Sequence, residues 1–213
     1  MAGSSLLIAM MGNKGGTGKT TLAVNMAVGL MRRAPSALLD LDPQRSAWQW
    51  SRIAERAAHA AHVYECHGDV DEVVANLKER YQYVVLDCPP SVHARETRDA
   101  LRLCDYALVP VQPSPMDLWA TLSVVEAVSA ARREHPRLKA YIVLNQLEAQ
   151  TVLSRDIREV IDEVGLAVLR GDVRRRAIYR NAMAEGKTVF DMGGAGREAA
   201  AEIERLLTEV IAA

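Results

Sequence analysis

The run Lys14-Gly15-Gly16-Thr17-Gly18-Lys19-Thr20-Thr21 lies between a short apolar stretch, residues 6–11, and the helix-like segment Leu22-Ala23-Val24-Asn25-Met26-Ala27. A buried strand that feeds a glycine-rich turn and then a helix is a βα unit, and it commits the chain to an α/β architecture. Glycines at such a turn let backbone N–H groups point inward, and the helix start adds partial positive charge. Together they suit phosphate oxygens. In that setting Lys19 reaches the β- and γ-phosphates and the Thr20 hydroxyl ligates Mg²⁺, with Lys14, Gly15, Gly16, Thr17, Gly18 and Thr21 forming the rest of the loop. The general pattern G-x-x-x-x-G-K-[ST] opens on glycine; here that position is Asn13.

The rest of the chain repeats the same unit. Apolar runs predict strands over 6–11, 37–41, 63–66, 83–87, 106–111, 140–145 and 166–169. Helical patterns cover 19–33, 46–61, 70–80, 96–103, 117–134, 154–164, 174–184 and 198–212. Strands alternating with helices predict a three-layer α/β/α fold around a mostly parallel sheet. A length of 213 residues without a linker or internal repeat is expected to form one domain over 1–213, with no DNA-binding domain ahead of it. Aromatic residues are only 5% of the chain and apolar residues 49%, which fits helices packed on parallel strands.

In such sheets ligands sit beyond the carboxyl ends of the strands. The glycine loop, Asp40 and Asp42, Asp87, and Asn145 all fall at expected strand ends, so four segments converge on one edge. Asp87, after an apolar strand, is placed to hold Mg²⁺ through its water shell. Asp40 and Asp42 are two apart on an extended chain and share a face. For Asp40 and for Asp87 the competing role is that of an aspartate capping a turn or helix. Asn145 ends its strand with an amide that suits an adenine edge, or simply terminates the strand.

The extra lysine, Lys14, gives the loop a narrower identity. It resembles the deviant Walker A motif of the ParA/MinD ATPases. Ala37-Leu38-Leu39-Asp40-Leu41-Asp42-Pro43-Gln44 resembles that family's second acidic motif, and Tyr83-Val84-Val85-Leu86-Asp87-Cys88-Pro89-Pro90-Ser91 its Walker B strand. Val109-Pro110-Val111-Gln112-Pro113-Ser114-Pro115 and the strand ending at Asn145 follow in family order. The likeness spans nearly the whole chain and is nearest to the small plasmid-partition subgroup (ParF-like). The resemblance implies an Mg²⁺-dependent ATPase in which Asp42 orients the attacking water, Asp40 supports the metal shell and an asparagine near 145 serves the base. It implies that Lys14 crosses a two-fold interface to the partner subunit's nucleotide, giving an ATP-dependent homodimer. It implies non-specific DNA binding, a ParB-like or cargo-adaptor protein that stimulates hydrolysis, and a cargo that is a plasmid, a chromosome or a protein cluster.

Residues 170–187 hold Arg170, Arg174, Arg175, Arg176, Arg180 and Lys187 against Asp172 and Glu185, a local balance of +4. Contact of Arg174, Arg175, Arg176 and Arg180 with DNA phosphates is the natural use of such a cluster. A solvated face, the nucleotide or a dimer interface are its competitors, and 132–139 is a second basic stretch. The formal net charge of −1 argues against a surface that coats nucleic acid all over.

A MinD-like membrane cycle would need a basic amphipathic terminal helix, but residues 188–213 carry two arginines against five acids. That helix is expected to dock on the core. The three cysteines, Cys66, Cys88 and Cys104, form no C-x-x-C pair, which excludes an iron–sulfur reductase. An ATP-dependent synthetase on the same scaffold remains the metabolic alternative. The scattered histidines show no ligand spacing. Trp48 and Trp50, two apart on a helix, cannot share a face, so one is expected in the core. With no signal peptide and no run of the roughly 20 apolar residues that a span needs, the expected setting is cytoplasmic, nucleoid-associated when ATP is bound.

Overall fold

The computed structural model describes residues 5–54, 62–148 and 165–212. Among them seven strands form one sheet: β1 (Leu6–Met10), β2 (Ser36–Asp40), β3 (His62–Glu65), β4 (Tyr83–Asp87), β5 (Tyr106–Val111), β6 (Lys139–Leu144) and β7 (Ala167–Val168). Their order is β3-β2-β4-β1-β5-β6-β7, and every pairing is parallel. The helices are α1 (Lys19–Met31), α2 (Ser46–Ala54), α3 (Val70–Lys78), α4 (Arg95–Leu103), α5 (Pro115–Glu134), α6 (Ala177–Ala184) and α7 (Gly193–Ala212).

Both faces of the sheet are covered. Side chains alternate along a strand, so Leu7 and Ala9 of β1 pack with Val74 of α3, Leu101 of α4 and Val128 of α5. Ile8 and Met10 point the other way, into Leu22 and Met26 of α1, Trp50 of α2, Tyr179 of α6 and Ile203 and Leu207 of α7. Strands buried on both faces read as unbroken apolar runs, which is why 83–87 and 106–111 were legible to the residue. The central strand β1 lies between β4 and β5, so the loops after all three open on one crevice.

The stripe of α7 is spent on this core: Ile203, Leu206, Leu207 and Val210 are fully buried. Among the described residues no helix is long and apolar enough to cross a membrane. Trp50 enters the core and its Nε1 donates to the Lys187 carbonyl at 3.3 Å, while half-buried Trp48 lies under the Arg52 guanidinium.

Three segments depart from the expected elements. Residues 174–176 are extended rather than helical. Backbone bonds from Val173 N to Leu144 O and from Arg175 N to Leu147 O, both 2.9 Å, lay this segment beside the chain leaving β6. A 3₁₀ turn, Val189–Asp191, was not expected; Thr188 and Asp191 close it by a reciprocal capping box. The last helix begins at Gly193, five residues early, despite its glycines. Gly196 is required there, because a Cβ at this position would fall 2.1 Å from the Val189 carbonyl oxygen. The helix expected over 154–164, and the end of that expected over 46–61, lie outside the described residues.

Candidate functional site

Parallel register brings the acidic strand ends level: Asp87 pairs with Met10 of β1 on one side and with Asp40 of β2 on the other. The glycine loop leaves β1 directly above them. It closes at Gly18, which precedes α1 with φ of +93°, a conformation that favours glycine. A side chain there would also collide with Asn145, since a Cβ would lie 2.3 Å from its Nδ2.

The two lysines of the loop face different ways. Lys19 is buried, 6% exposed, and its Nζ donates to the Lys14 carbonyl at 3.0 Å. Burial lowers its pKa, and the Asp87 and Asp42 carboxylates oppose that shift. The Lys14 side chain is half-exposed, and its Nζ makes an ion pair of 2.9 Å with Asp117, a buried carboxylate in the first turn of α5.

Asp87 is fully buried, and neither oxygen has a hydrogen-bond partner among the described residues. Burial pushes its pKa up to about 7; the adjacent Thr20 hydroxyl works against this without reaching full hydrogen-bond geometry. A buried carboxylate left unsatisfied beside a half-buried hydroxyl is a set of hard oxygen donors, and it fits Mg²⁺. Asp40 is buried too, but its oxygens accept backbone N–H groups from Asp42 at 3.1 Å and Trp48 at 2.9 Å. Burial still raises its pKa against these bonds. Its carboxylate thus shapes the turn that carries Asp42, whose half-buried side chain accepts from Gln44 N.

Several residues hold the loop, and to two of them, Gln112 and Gln146, motif reading gives no role. Gln112, after β5, donates to the Gly16 carbonyl at 2.8 Å, and Gln146 reaches the same oxygen at 3.3 Å. Asn145 donates to the Thr17 carbonyl at 2.6 Å. Asn13 donates to Ser123 Oγ of α5 at 2.9 Å and accepts from Val92 N at 3.4 Å. The departure from glycine at position 13 thereby becomes a strut. Asp117 had only a faint signal, the Ser114-x-x-Asp117 spacing of a helix cap.

The basic segment joins the same site. A pocket of 150 Å³ is lined by Gly18, Thr21 and Leu22 from the loop side, Asn145 and Gln146 after β6, and Arg174, Arg175, Arg176, Tyr179 and Arg180 opposite. Its arginines are not equivalent. Arg176 pairs with Glu198 at 2.6 Å and Glu202 at 3.0 Å. Glu202 is buried and also accepts from Arg174 N and the Tyr179 hydroxyl. Arg175 pairs with Glu148, Arg174 lies 3.8 Å from Asp172, and Arg180 is exposed.

Comparison with known proteins agrees with this architecture. Residues 8–189 match the family described as the CobQ/CobB/MinD/ParA nucleotide binding domain. Maintenance of carboxysome distribution protein A of Halothiobacillus neapolitanus is 43% identical over 93% of both chains. The protein of the same name from Gloeobacter kilaueensis is 29% identical over 96% of this chain and 93% of its own. Among solved structures, an ATP complex of McdA from Cyanothece superposes with a TM-score of 0.75 at 16% identity, covering 98% of this chain and 97% of that one. MinD of Aquifex aeolicus gives 0.75 at 18% identity over 96% and 97%. The glycine loop, both acidic strand ends and the arginine-lined pocket all fall inside the matched span, and the chain belongs to the CobQ/CobB/MinD/ParA family of nucleotide-binding domains.

Proposed function

We propose that this chain is a Mg²⁺-dependent ATP hydrolase that works as a switch: ATP closes two copies face to face, the closed pair holds DNA without reading its sequence, and a partner protein triggers hydrolysis to move a cargo. The observation that carries this reading is the division of labour between the two lysines, one buried under the loop and the other half-exposed and held at Asp117 of α5. A single site has use for Lys19; a half-exposed Lys14 released from Asp117 serves a second copy, as a finger supplied in trans does. The name of the 43%-identical relative supports a carboxysome as the cargo.

In this reading the backbone of Gly15 to Thr21 cradles the phosphates, and Lys19 exchanges the Lys14 carbonyl for phosphate oxygens. Asn145 holds the loop closed beside the base pocket. Thr20 and Asp87 would hold Mg²⁺, with Asp40 supporting that site, and a bound ion would supply charge neutralisation at the phosphate oxygens. Asp42 orients the attacking water. Arg174, Arg175 and Arg180 contact DNA phosphates.

Light scattering with Mg²⁺-ATP tests the switch. Wild type and Asp42→Ala should double in mass, while Lys14→Ala should bind nucleotide and remain single. Unchanged mass for both wild type and Asp42→Ala would sink the reading.

A further inference from the structure

The phosphate loop is braced against a surface that the reaction itself does not use. Helices α4 and α5 pack side by side and leave between them a groove of 400 Å³. Buried Leu101 and half-buried Ala127 form its floor, and exposed Ala130 keeps it open. The walls differ in charge: the α4 side carries Arg98 and Arg102 against Asp99, a net positive bank, and the α5 side carries exposed Glu126 and Glu134. Arg102 is held by Asp71 and Asp99, while Arg98, Glu126 and Glu134 have no ion-pair partner among the described residues. Along α5 the same face continues towards the loop through Trp119, which is 67% exposed. A largely apolar channel, net basic on one bank and acidic on the other, suits an amphipathic helix with the opposite pattern.

We propose that this groove docks an amphipathic helix of a partner protein, with an apolar stripe flanked by acidic residues on one side and basic residues on the other. The groove also communicates with the nucleotide loop. Ser123 on α5 and Val92 before α4 both line it, and the single side chain of Asn13 bonds to both. A helix that spreads or clamps the two banks therefore pulls on the residue next to Lys14. This effect on turnover rests on the switch reading; docking itself does not.

The probe is a labelled synthetic helix of about 18 residues, ~27 Å long, with a Leu/Ala stripe, glutamates on one flank and lysines on the other. All-lysine and all-glutamate versions are the controls, and anisotropy without nucleotide is the readout. The two-sided helix should bind wild type more tightly than either control. Ala130→Trp, which fills the channel, should weaken it by about tenfold or more, the scale of one lost anchor. Arg98→Glu makes both banks acidic, so this variant should lose the two-sided helix and gain the all-lysine one. Asn13→Ala should still bind the helix but lose its effect on ATP turnover. Absence of binding, equal binding by Ala130→Trp, or no preference among the three peptides would overturn the proposal. So would an Ala130→Trp variant that leaves peptide binding intact yet abolishes ATP-driven doubling of mass, since the face would then join two copies. If peptide binding behaves as expected while ATP never changes the mass, docking stands and the switch reading falls.

Discussion

Lys14 is clasped by Asp117, ammonium to carboxylate at 2.9 Å, within its own chain. A lysine destined for a second copy must leave this contact first, so the pair opposes dimerisation. Half-exposed ion pairs contribute at most about 1 kcal/mol. Two such pairs must open for each closed dimer, so Asp117→Asn should lower the protein concentration at which Mg²⁺-ATP doubles the mass, by up to about 30-fold on that scale. Dilution series by light scattering check this; a rise in the concentration needed would mean that Asp117 supports the closed pair.

Asp87 ties pH to stability. Burial moves its pKa from the ordinary 3.8 to about 7 in the fold. The native state therefore binds this proton more tightly than the unfolded chain, and the group's contribution is full below 3.8 and lost as pH rises through about 7. Asp87→Asn imitates the protonated form. Without Mg²⁺ it should melt higher than wild type at about pH 8 and show little advantage at about pH 5. Each kcal/mol recovered is worth about 2–4 °C in a chain of this size. With Mg²⁺-ATP present the order should invert, because the variant has lost its metal oxygen. Melting curves at the two pH values, with and without Mg²⁺-ATP, decide it.

Asn145 spends its amide N–H on the Thr17 carbonyl rather than leaving it free. Its substitution should loosen the loop for any nucleoside triphosphate. Asn145→Ala should weaken ATP and GTP alike, by about tenfold for a lost hydrogen bond of ~1.4 kcal/mol. Calorimetric titration of both nucleotides is the check, and a loss confined to ATP would return the residue to base recognition.

The arginines should separate by function. Arg176→Ala strips a partner from buried Glu202 and should cost about 1–3 kcal/mol of stability. Arg174, Arg175 and Arg180 replaced together should leave the melting temperature nearly unchanged, yet weaken ATP-dependent retention on random-sequence DNA and flatten its salt dependence. Equal retention at two salt concentrations would assign these three to the pocket or to solvent, and direct the search to residues 132–139.

The parts of the site that were legible in the sequence are those whose chemistry is local. Gly18, Lys19 and Thr20 act within one turn, and Asp40 and Asp87 end strands apolar enough to read as buried on both faces. Residues that act across the fold carried no such mark. Nothing near Gln112 says that Gly16 waits 96 positions earlier, nor does Asn13 announce Ser123. The helix expected at 174 failed for the same reason. A local count of arginines and alanines suggested helix, but pairing with the chain after β6 outweighed that preference. Asp40 lies between these cases: its position was readable, while its grip on the turn to Trp48 depends on how α2 returns.

The amide of Asn145 meets the carbonyl of Thr17 across 128 residues of chain. Contacts of such long range form late, after the intervening loops have been closed at a cost in entropy. A nascent chain that ends before β6 thus carries the entire glycine motif without the amide that steadies it. During synthesis the nucleotide-binding motif is made before β6, so a working site must wait until the strand that leads into Asn145 has emerged.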